Sequence, residues 1–438
     1  MESSPDHHQV APVVDEPPSQ VSGLRAVHRR ILGFALFALV LMSCSTSSDP
    51  ADQNGDNPVP EPVTTTAPSP EGTPGVTDQT VLFGQSAALT GPAEELGLEM
   101  SLGINTAFHE ANSAGGVNGR LLELVTLDDT YEPELAIDNT LRLIEVEQVF
   151  ALIGEVGTPT SRSATPIAER YDVPFIAPFT GAAFLRSDAR TNVVNLRASY
   201  AQETEEMVAR MTEDLGIERI AIMYQDDSFG RTGLQGAQAA LERRDMVPVS
   251  VGIYPRNTVA IKTGLMDLTM GDPEGVIVVG AYRPVAALIS WARHTGFDPI
   301  FITISFVGSN ALARELGSEG EGVYVTQVVP FPTDDSIPVI AAYQQALASY
   351  SPESAPSFVS LEGYLAGRLA ILGLESCGPY PTRSCFMEAL LNDSPKDIDG
   401  FPLTFGTGDN QGSDQVFLTY IDSEGRYQPA ERLTRRSP

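Results

Sequence analysis

The sequence predicts an α/β protein of two doubly wound lobes, preceded by an export leader and a polar tether. From Thr80 onward, short apolar, often β-branched runs alternate with stretches of helical period. The runs are nearly continuous in apolar character, as strands of parallel sheets covered by helices on both faces must be. Nine of them precede residue 330, more than one open sheet holds comfortably. A single (β/α)8 barrel is the architectural alternative, and it leaves residues 330–438 without a place.

The leader comes first. Arg29 and Arg30 precede the twelve-residue apolar run Ile31 to Met42, followed by Ser43 and Cys44. A basic flank and so short a run read as a secretory signal, since about 30 Å of hydrocarbon needs about 20 residues. The tail Leu41-Met42-Ser43-Cys44 resembles the bacterial lipobox, with methionine as a departure at its second position. That resemblance implies cleavage after residue 43 and a diacylglycerol on Cys44. An ordinary cleaved signal that contains a cysteine, or an uncleaved anchor, would leave the same trace. Residues 44–79 are rich in Ser, Thr, Pro and acids, cannot bury enough apolar surface to fold, and read as a tether.

The first set of strands is expected at Val81–Phe83, Leu121–Leu127, Val149–Ile153 and Val173–Ala177. The second is expected at Arg219–Tyr224, Val247–Ile253, Gly275–Val279, Ile300–Ile304 and Val323–Val329. Between them Ala164, Ile167, Ala168 and Tyr171 form one apolar helical stripe, and Val285, Leu288, Ile289 and Ala292 another. Pro133 suits the first turn of a helix, where its missing N–H costs nothing. The lobe junction is expected near Asn195–Ala201. The last hundred residues read as one long helix, Ser360–Leu374, a cysteine loop, and a hairpin pairing Phe401–Phe405 with Gln415–Ile421. Cys377 and Cys385 flank the turn-rich Gly-Pro-Tyr-Pro-Thr-Arg-Ser; a disulfide there would contribute roughly 2–3 kcal/mol, and two free thiols are the alternative.

Composition excludes several chemistries. With 57 acidic and 27 basic residues the net charge is −30, so phosphate backbones are repelled and nucleic acid is not a partner. Of five histidines, His7, His8 and His28 lie before Cys44, leaving His109 and His294, too few for a histidine-rich metal site or triad. No GxxxxGK[ST], HExxH or GxSxG motif occurs. Asp226-Asp227, placed before Gly230, Gly233 and Gly236, would repel a pyrophosphate. Asp128-Asp129 could be an acid/base pair, but such pairs before a turn serve more often as caps and hydrogen-bond anchors. No enzyme, cofactor or metal is expected.

What remains are small polar turns after strands, Gly154 to Ser161 and Pro178 to Ala182. In open α/β sheets, ligands sit beyond the carboxyl ends of strands, where helix N-termini offer unpaired N–H groups. Thr158 and Thr180 would suit a carboxylate; alternatively, Thr158 merely caps its helix.

At these residues the chain resembles the type I periplasmic-binding-fold solute-binding proteins of ABC transporters, the branched-chain amino-acid-binding (Leu/Ile/Val) family. The match rests on Gly84-Gln85-Ser86-Ala87-Ala88-Leu89-Thr90-Gly91-Pro92, Ala114-Gly115-Gly116-Val117-Asn118-Gly119-Arg120 and Asp128-Asp129. Further on it rests on Pro166-Ile167-Ala168, Val173-Pro174-Phe175, Arg219-Ile220-Ala221-Ile222 and Gln225-Asp226-Asp227-Ser228-Phe229-Gly230. The resemblance implies two Rossmann-like lobes joined by three crossovers, near 195–201, 325–332 and 397–403. Lobe 1 would be 80–198 with 329–398, and lobe 2 would be 199–328 with 399–430. It implies ligand contacts from Gly157, Thr158, Phe179, Thr180 and Gly181, with Phe229 and Tyr282 from the second lobe and Leu96 and Phe358 flanking. The acid that would pair with a ligand ammonium falls at or beside Phe306, and no acid stands between Thr303 and Asn310. An unpaired buried ammonium costs several kcal/mol, so an ordinary α-amino acid is disfavoured.

The function implied is an exported, lipid-anchored monomer at the outer face of the cell membrane. It would capture a small amino-acid-like, amide or carboxylate molecule and deliver it to ABC permease subunits. A ligand-sensing subunit for a signalling partner is the alternative. Cys44→Ala is expected to release the chain into the soluble fraction, and a variant that stays with the membrane pellet contradicts the anchor.

Overall fold

The structure, a computed structural model, describes residues 72–392 and 394–435. Cys44 and the tether up to residue 71 lie outside the described residues, as do residue 393 and residues 436–438.

Two parallel sheets grow from the apolar runs. The first contains β1 (Thr80–Ala87), β2 (Leu121–Asp128), β3 (Ala151–Ile153), β4 (Phe175–Ile176) and β5 (Val193–Val194), in the order β2-β1-β3-β4-β5. Its intervening helices are α1 (Glu94–Ser113), α2 (Pro133–Glu145) and α3 (Thr158–Arg170). The second sheet begins after α4 (Tyr200–Leu215), with β6 (Ile220–Gln225), β7 (Val251–Tyr254), β8 (Gly275–Val279), β9 (Ile300–Thr303) and β10 (Tyr324–Gln327). Between these strands run α5 (Ser228–Glu242), α6 (Lys262–Met270), α7 (Tyr282–His294) and α8 (Ser309–Leu316). In both sheets the strand order reverses beside the first strand, β1 or β6, and the loops after the strands there are the natural place for a ligand. The two doubly wound lobes are the predicted fold, not a barrel.

The chain then returns to the first lobe through α9 (Pro338–Tyr350), α10 (Phe358–Cys377) and α11 (Arg383–Leu391). Of these only α10 was expected from sequence. Cys377 and Cys385 form a pair between α10 and α11, with Cα atoms 5.9 Å apart. The end of the chain differs from expectation. Phe401–Leu403 is strand β12 and pairs antiparallel with β11 (Lys396–Ile398), while β13 (Phe417–Ile421) pairs with β14 (Tyr427–Ala430) and with β10. There are thus two hairpins instead of one between 401–405 and 415–421. The third crossover follows β12, through residues 404–416, and does not lie at 397–403. The physical reason is the Gly-rich stretch, whose Gln411 bridges Asn195 and so runs beside the first crossover.

Helix α10 docks on α1 at a spacing that only glycine permits. A Cβ on Gly103 would meet the Ser360 carbonyl oxygen at 1.9 Å and the Tyr364 nitrogen at 2.7 Å; one on Gly363 would meet the Met100 carbonyl at 2.4 Å. Backbone blocks both positions, so no side-chain rotation relieves the clash. Alanine normally favours a helix over glycine by about 1 kcal/mol. Here Gly103→Ala is expected to reverse that sign and destabilise by about 1–3 kcal/mol, as overpacking does. Urea unfolding checks it, and an unchanged or raised midpoint would show the helices free to separate.

Candidate functional site

The loops that follow the strands of the two sheets face one another, and the turn after β3 sets the geometry. Gly157 has φ of 106°, and a Cβ there would meet the Tyr131 ring at 2.2 Å. Thr158 then opens α3 without capping it. Its hydroxyl instead meets the Thr180 hydroxyl at 2.6 Å, so the capping alternative is set aside. The Tyr200 hydroxyl, from the start of α4, faces both threonines. Gly181 is where Tyr200 comes close: a Cβ would lie 2.6 Å from its ring and its backbone nitrogen.

Five rings meet beside these hydroxyls. Phe306 lies 4.6 Å from Phe229, 5.2 Å from Phe179 and 6.0 Å from Tyr131, and Tyr200 lies 5.4 Å from Phe229. All five are at most 1% exposed. Phe179 and Tyr131 come from loops of the first sheet, Phe229 from the first turn of α5 and Phe306 from the turn after β9 of the second, so the cluster spans the lobes. Asp227 aims Phe229 by capping α5: its carboxylate accepts from the Phe229 N–H at 2.9 Å and the Gly230 N–H at 3.1 Å.

Polar pairs cross the rim of the cleft. Glu132 accepts from Arg256 at 2.5 Å and from the Asn257 amide at 2.7 Å, Arg283 meets Glu94 at 2.9 Å, and Arg314 meets Glu95 at 2.7 Å. Part-exposed pairs of this kind are worth about 0–1 kcal/mol each, so they set register more than affinity.

The structure brings Gly157, Thr158, Phe179, Thr180, Gly181, Phe229 and Phe306 together. Leu96 and Tyr282 meet each other across Gly308, where a Cβ would lie 2.6 Å from Leu96 and 3.6 Å from Tyr282. Phe358 packs instead against Phe331 and Tyr427, at 5.4 and 6.1 Å, and lines a cavity of about 630 Å³ with them. Sequence reasoning missed Tyr131 and Tyr200. It also missed three charged residues close behind the rings. Arg197 lies with its guanidinium 5.2 Å from the Phe179 ring, and Glu203 accepts from the Ser305 N–H at 2.9 Å, while Glu362 meets Arg197 at 3.5 Å.

Asp128 and Asp129 are anchors, not a catalytic pair. Asp128 accepts from the Leu89 and Thr130 N–H groups, both at 2.9 Å. Asp129 accepts from the Ser86 hydroxyl at 2.7 Å and the Tyr131 N–H at 2.8 Å, which holds Tyr131 at φ of 62°. Burial pushes the Asp129 carboxyl up to about 7, with Asp128 and Glu132 adding to it and the hydrogen bonds opposing. A raised folded-state value means that the folded protein holds this proton more tightly than the unfolded chain. The stabilisation is full below about pH 4 and is lost as pH rises towards 7. Asp129→Asn is therefore expected to flatten the fall in unfolding free energy between pH 4 and pH 8, by up to about 4 kcal/mol on the unit conversion. Denaturant titrations at the two pH values test it, and parallel slopes for variant and parent would reject the assignment.

Comparison with known proteins accords with this geometry. A periplasmic binding protein family matches residues 80–426. "Leu/Ile/Val-binding protein homolog 7" of Brucella abortus (strain 2308) is 24% identical over 308 residues, covering 67% of this chain and 76% of that protein. The crystal structure of a possible leucine/isoleucine/valine-binding protein from Rhodopirellula baltica SH 1 is 41% identical with a TM-score of 0.78, covering 82% of this chain and 98% of the other. A fatty acid ABC transporter substrate-binding protein from Thermomonospora curvata shares the fold at 20% identity and a TM-score of 0.73, covering 82% and 94%. Such proteins bind small solutes, work with ABC transporters and are not enzymes. By its matched span and its two facing lobes, the chain belongs to the periplasmic binding protein family.

Proposed function

We propose that this chain is an exported, lipid-anchored receptor that captures a small carboxylate-bearing molecule with an apolar or planar body by lobe closure and delivers it to an ABC importer. The observation that carries the proposal is the convergence of the Thr158, Thr180 and Tyr200 hydroxyls at one side of a five-ring cluster. Hydroxyl donors suit a carboxylate, and the rings suit the body it is attached to. Charge supports the choice. Phe306 occupies the position where the family resemblance places the partner of an ammonium, and the carboxylate behind it, Glu203, is engaged by Arg197, Ser305 and Thr326. A fold relative that is named for fatty acids fits a family whose ligands extend beyond amino acids. Cys44 would carry the anchor, the polar tether would give the lobes reach, and the Cys377–Cys385 pair would be a disulfide formed after export.

The test is a thermal-shift and calorimetry panel on the mature chain. It pairs acids with their amino counterparts: phenylacetate and 4-methylpentanoate against L-phenylalanine and L-isoleucine. An acid at 100 times its Kd should add about 2.7 kcal/mol of stability, while its amino counterpart adds little. Thr180→Val should weaken the acid about 10- to 100-fold, as loss of a hydrogen bond to a charged group does. A larger response to L-isoleucine than to any acid would return the ligand to the amino acids.

A further inference from the structure

We propose that Arg197 is the positioning residue of solute capture: from the first crossover, its guanidinium holds the pocket rings from behind and ties them to both lobes. This rests on the cleft being the solute site.

Arg197 lies in the segment between β5 and α4, and its side chain is fully buried. The guanidinium carbon stands 5.2 Å from the centre of the Phe179 ring and 5.8 Å from that of Tyr200, the ring whose hydroxyl faces Thr158 and Thr180. A cation over a ring gains most where water is excluded, as it is here. The same guanidinium donates to Glu203 of α4 at 3.0 Å and to Glu362 of α10 at 3.5 Å. It also donates to the Ser305 hydroxyl, one residue before Phe306. One side chain therefore touches a pocket ring of the first lobe, a pocket ring of the second, the segment that carries Phe306, and one helix of each lobe.

Glu203 extends the tie. It accepts from the Ser305 N–H and hydroxyl, both at 2.9 Å, and from the Thr326 hydroxyl of β10 at 2.6 Å, the strand from which the second crossover departs. Arg186 closes the other side, donating to the Arg197 carbonyl at 3.0 Å, to the Ala182 carbonyl at 2.9 Å, and to Gln411 in the third crossover. The first and third connections, and the strand that leads into the second, thus meet one charge cluster. A structural strut would need only the ion pair; the ring contacts and the Ser305 link are what reach into the pocket. A movement of Phe179 or Phe306 must then shift Arg197, and a change of crossover geometry must shift the rings.

The experiment is a double-mutant cycle on the mature chain without added solute. A donor and acceptor dye are carried by unnatural amino acids at Leu121 and Met270, both exposed and one on each lobe. The ratio of open to closed molecules is read by single-molecule energy transfer for the parent, Phe179→Leu, Arg197→Lys and the double variant, with a melting curve for each. The expected result is non-additivity: Phe179→Leu shifts the ratio in the parent but little in the Arg197→Lys background, a departure of about fivefold or more. Equal shifts in both backgrounds overturn the proposal. So does an Arg197→Lys variant that melts earlier with an unaltered ratio, which is what a strut would do. If Arg197→Lys fails to fold, Ser305→Ala takes its place under the same criteria. Because no solute is present, a silent acid panel would refute the ligand class without touching this result.

Discussion

Burying charge is the constraint under which this molecule is built. Where the connections pass between the lobes, Arg197 leaves water together with Glu203 and Glu362, with the half-buried Arg186 beside them, and ions of this size each lose several kcal/mol of hydration when buried. The cluster tolerates this because its charges balance and both terminal nitrogens of Arg197 donate, to Glu203 and Ser305 and to Glu362. Burial, followed by the like charge of Arg197, pushes Arg186 down to about 9; burial pushes Glu362 up to about 7 against the pull of Arg197. Apolar side chains of equal volume could fill such a place at no loss of stability. They could not hydrogen-bond Ser305 and Thr326 or stand over a ring, so what the charges add is direction.

Direction matters because the rim supplies little energy. The pairs across it, Glu132 with Arg256, Glu94 with Arg283 and Glu95 with Arg314, are partly exposed and screened by salt. The free energy of closing must come from taking the rings of both lobes, and whatever lies among them, out of water. A solute favours closure only by its difference in affinity for the two states. Rings held from behind by a fixed guanidinium have fewer conformations to lose on binding, which lowers the cost of ordering the pocket.

How much of this was legible in the sequence follows from what leaves a local mark. Strands such as Gly275–Val279 are buried on both faces and announce themselves as apolar runs. Val193–Val194 is a strand of only two residues, defined by its neighbours and by no pattern of its own. Helix α9 was missed because its Ala, Gln and Ser residues carry a weak apolar stripe, and the third crossover was misplaced because a Gly-rich stretch has no period. In the site, Thr158, Phe179 and Phe306 could be placed by resemblance. Tyr131 could not: it follows Asp-Asp-Thr, turn chemistry by composition, and its burial depends on a positive φ set by Asp129. One signal for the charge cluster was present. Arg197 follows Val193, Val194 and Leu196, and Glu362 interrupts a helix that is otherwise apolar over most of its length, so each demanded a partner that spacing alone could not supply.

The same cluster bears on which solutes can enter. A carboxylate does lie behind Phe306, since Glu203 accepts from the backbone of Ser305, so the cleft is not without negative charge nearby. That carboxylate is already committed to Arg197, Ser305 and Thr326. A ligand ammonium could use it only by displacing the guanidinium, which would leave Arg197 buried beside Glu362 alone and lose its tie to the second lobe. Removing one partner of a buried pair typically costs about 3–5 kcal/mol, which cancels the gain of a new one. Under the proposed function, selection against cations would follow from how the crossovers are fastened, and a chain that moved its acid to position 306 would gain an ammonium site without disturbing the fastening.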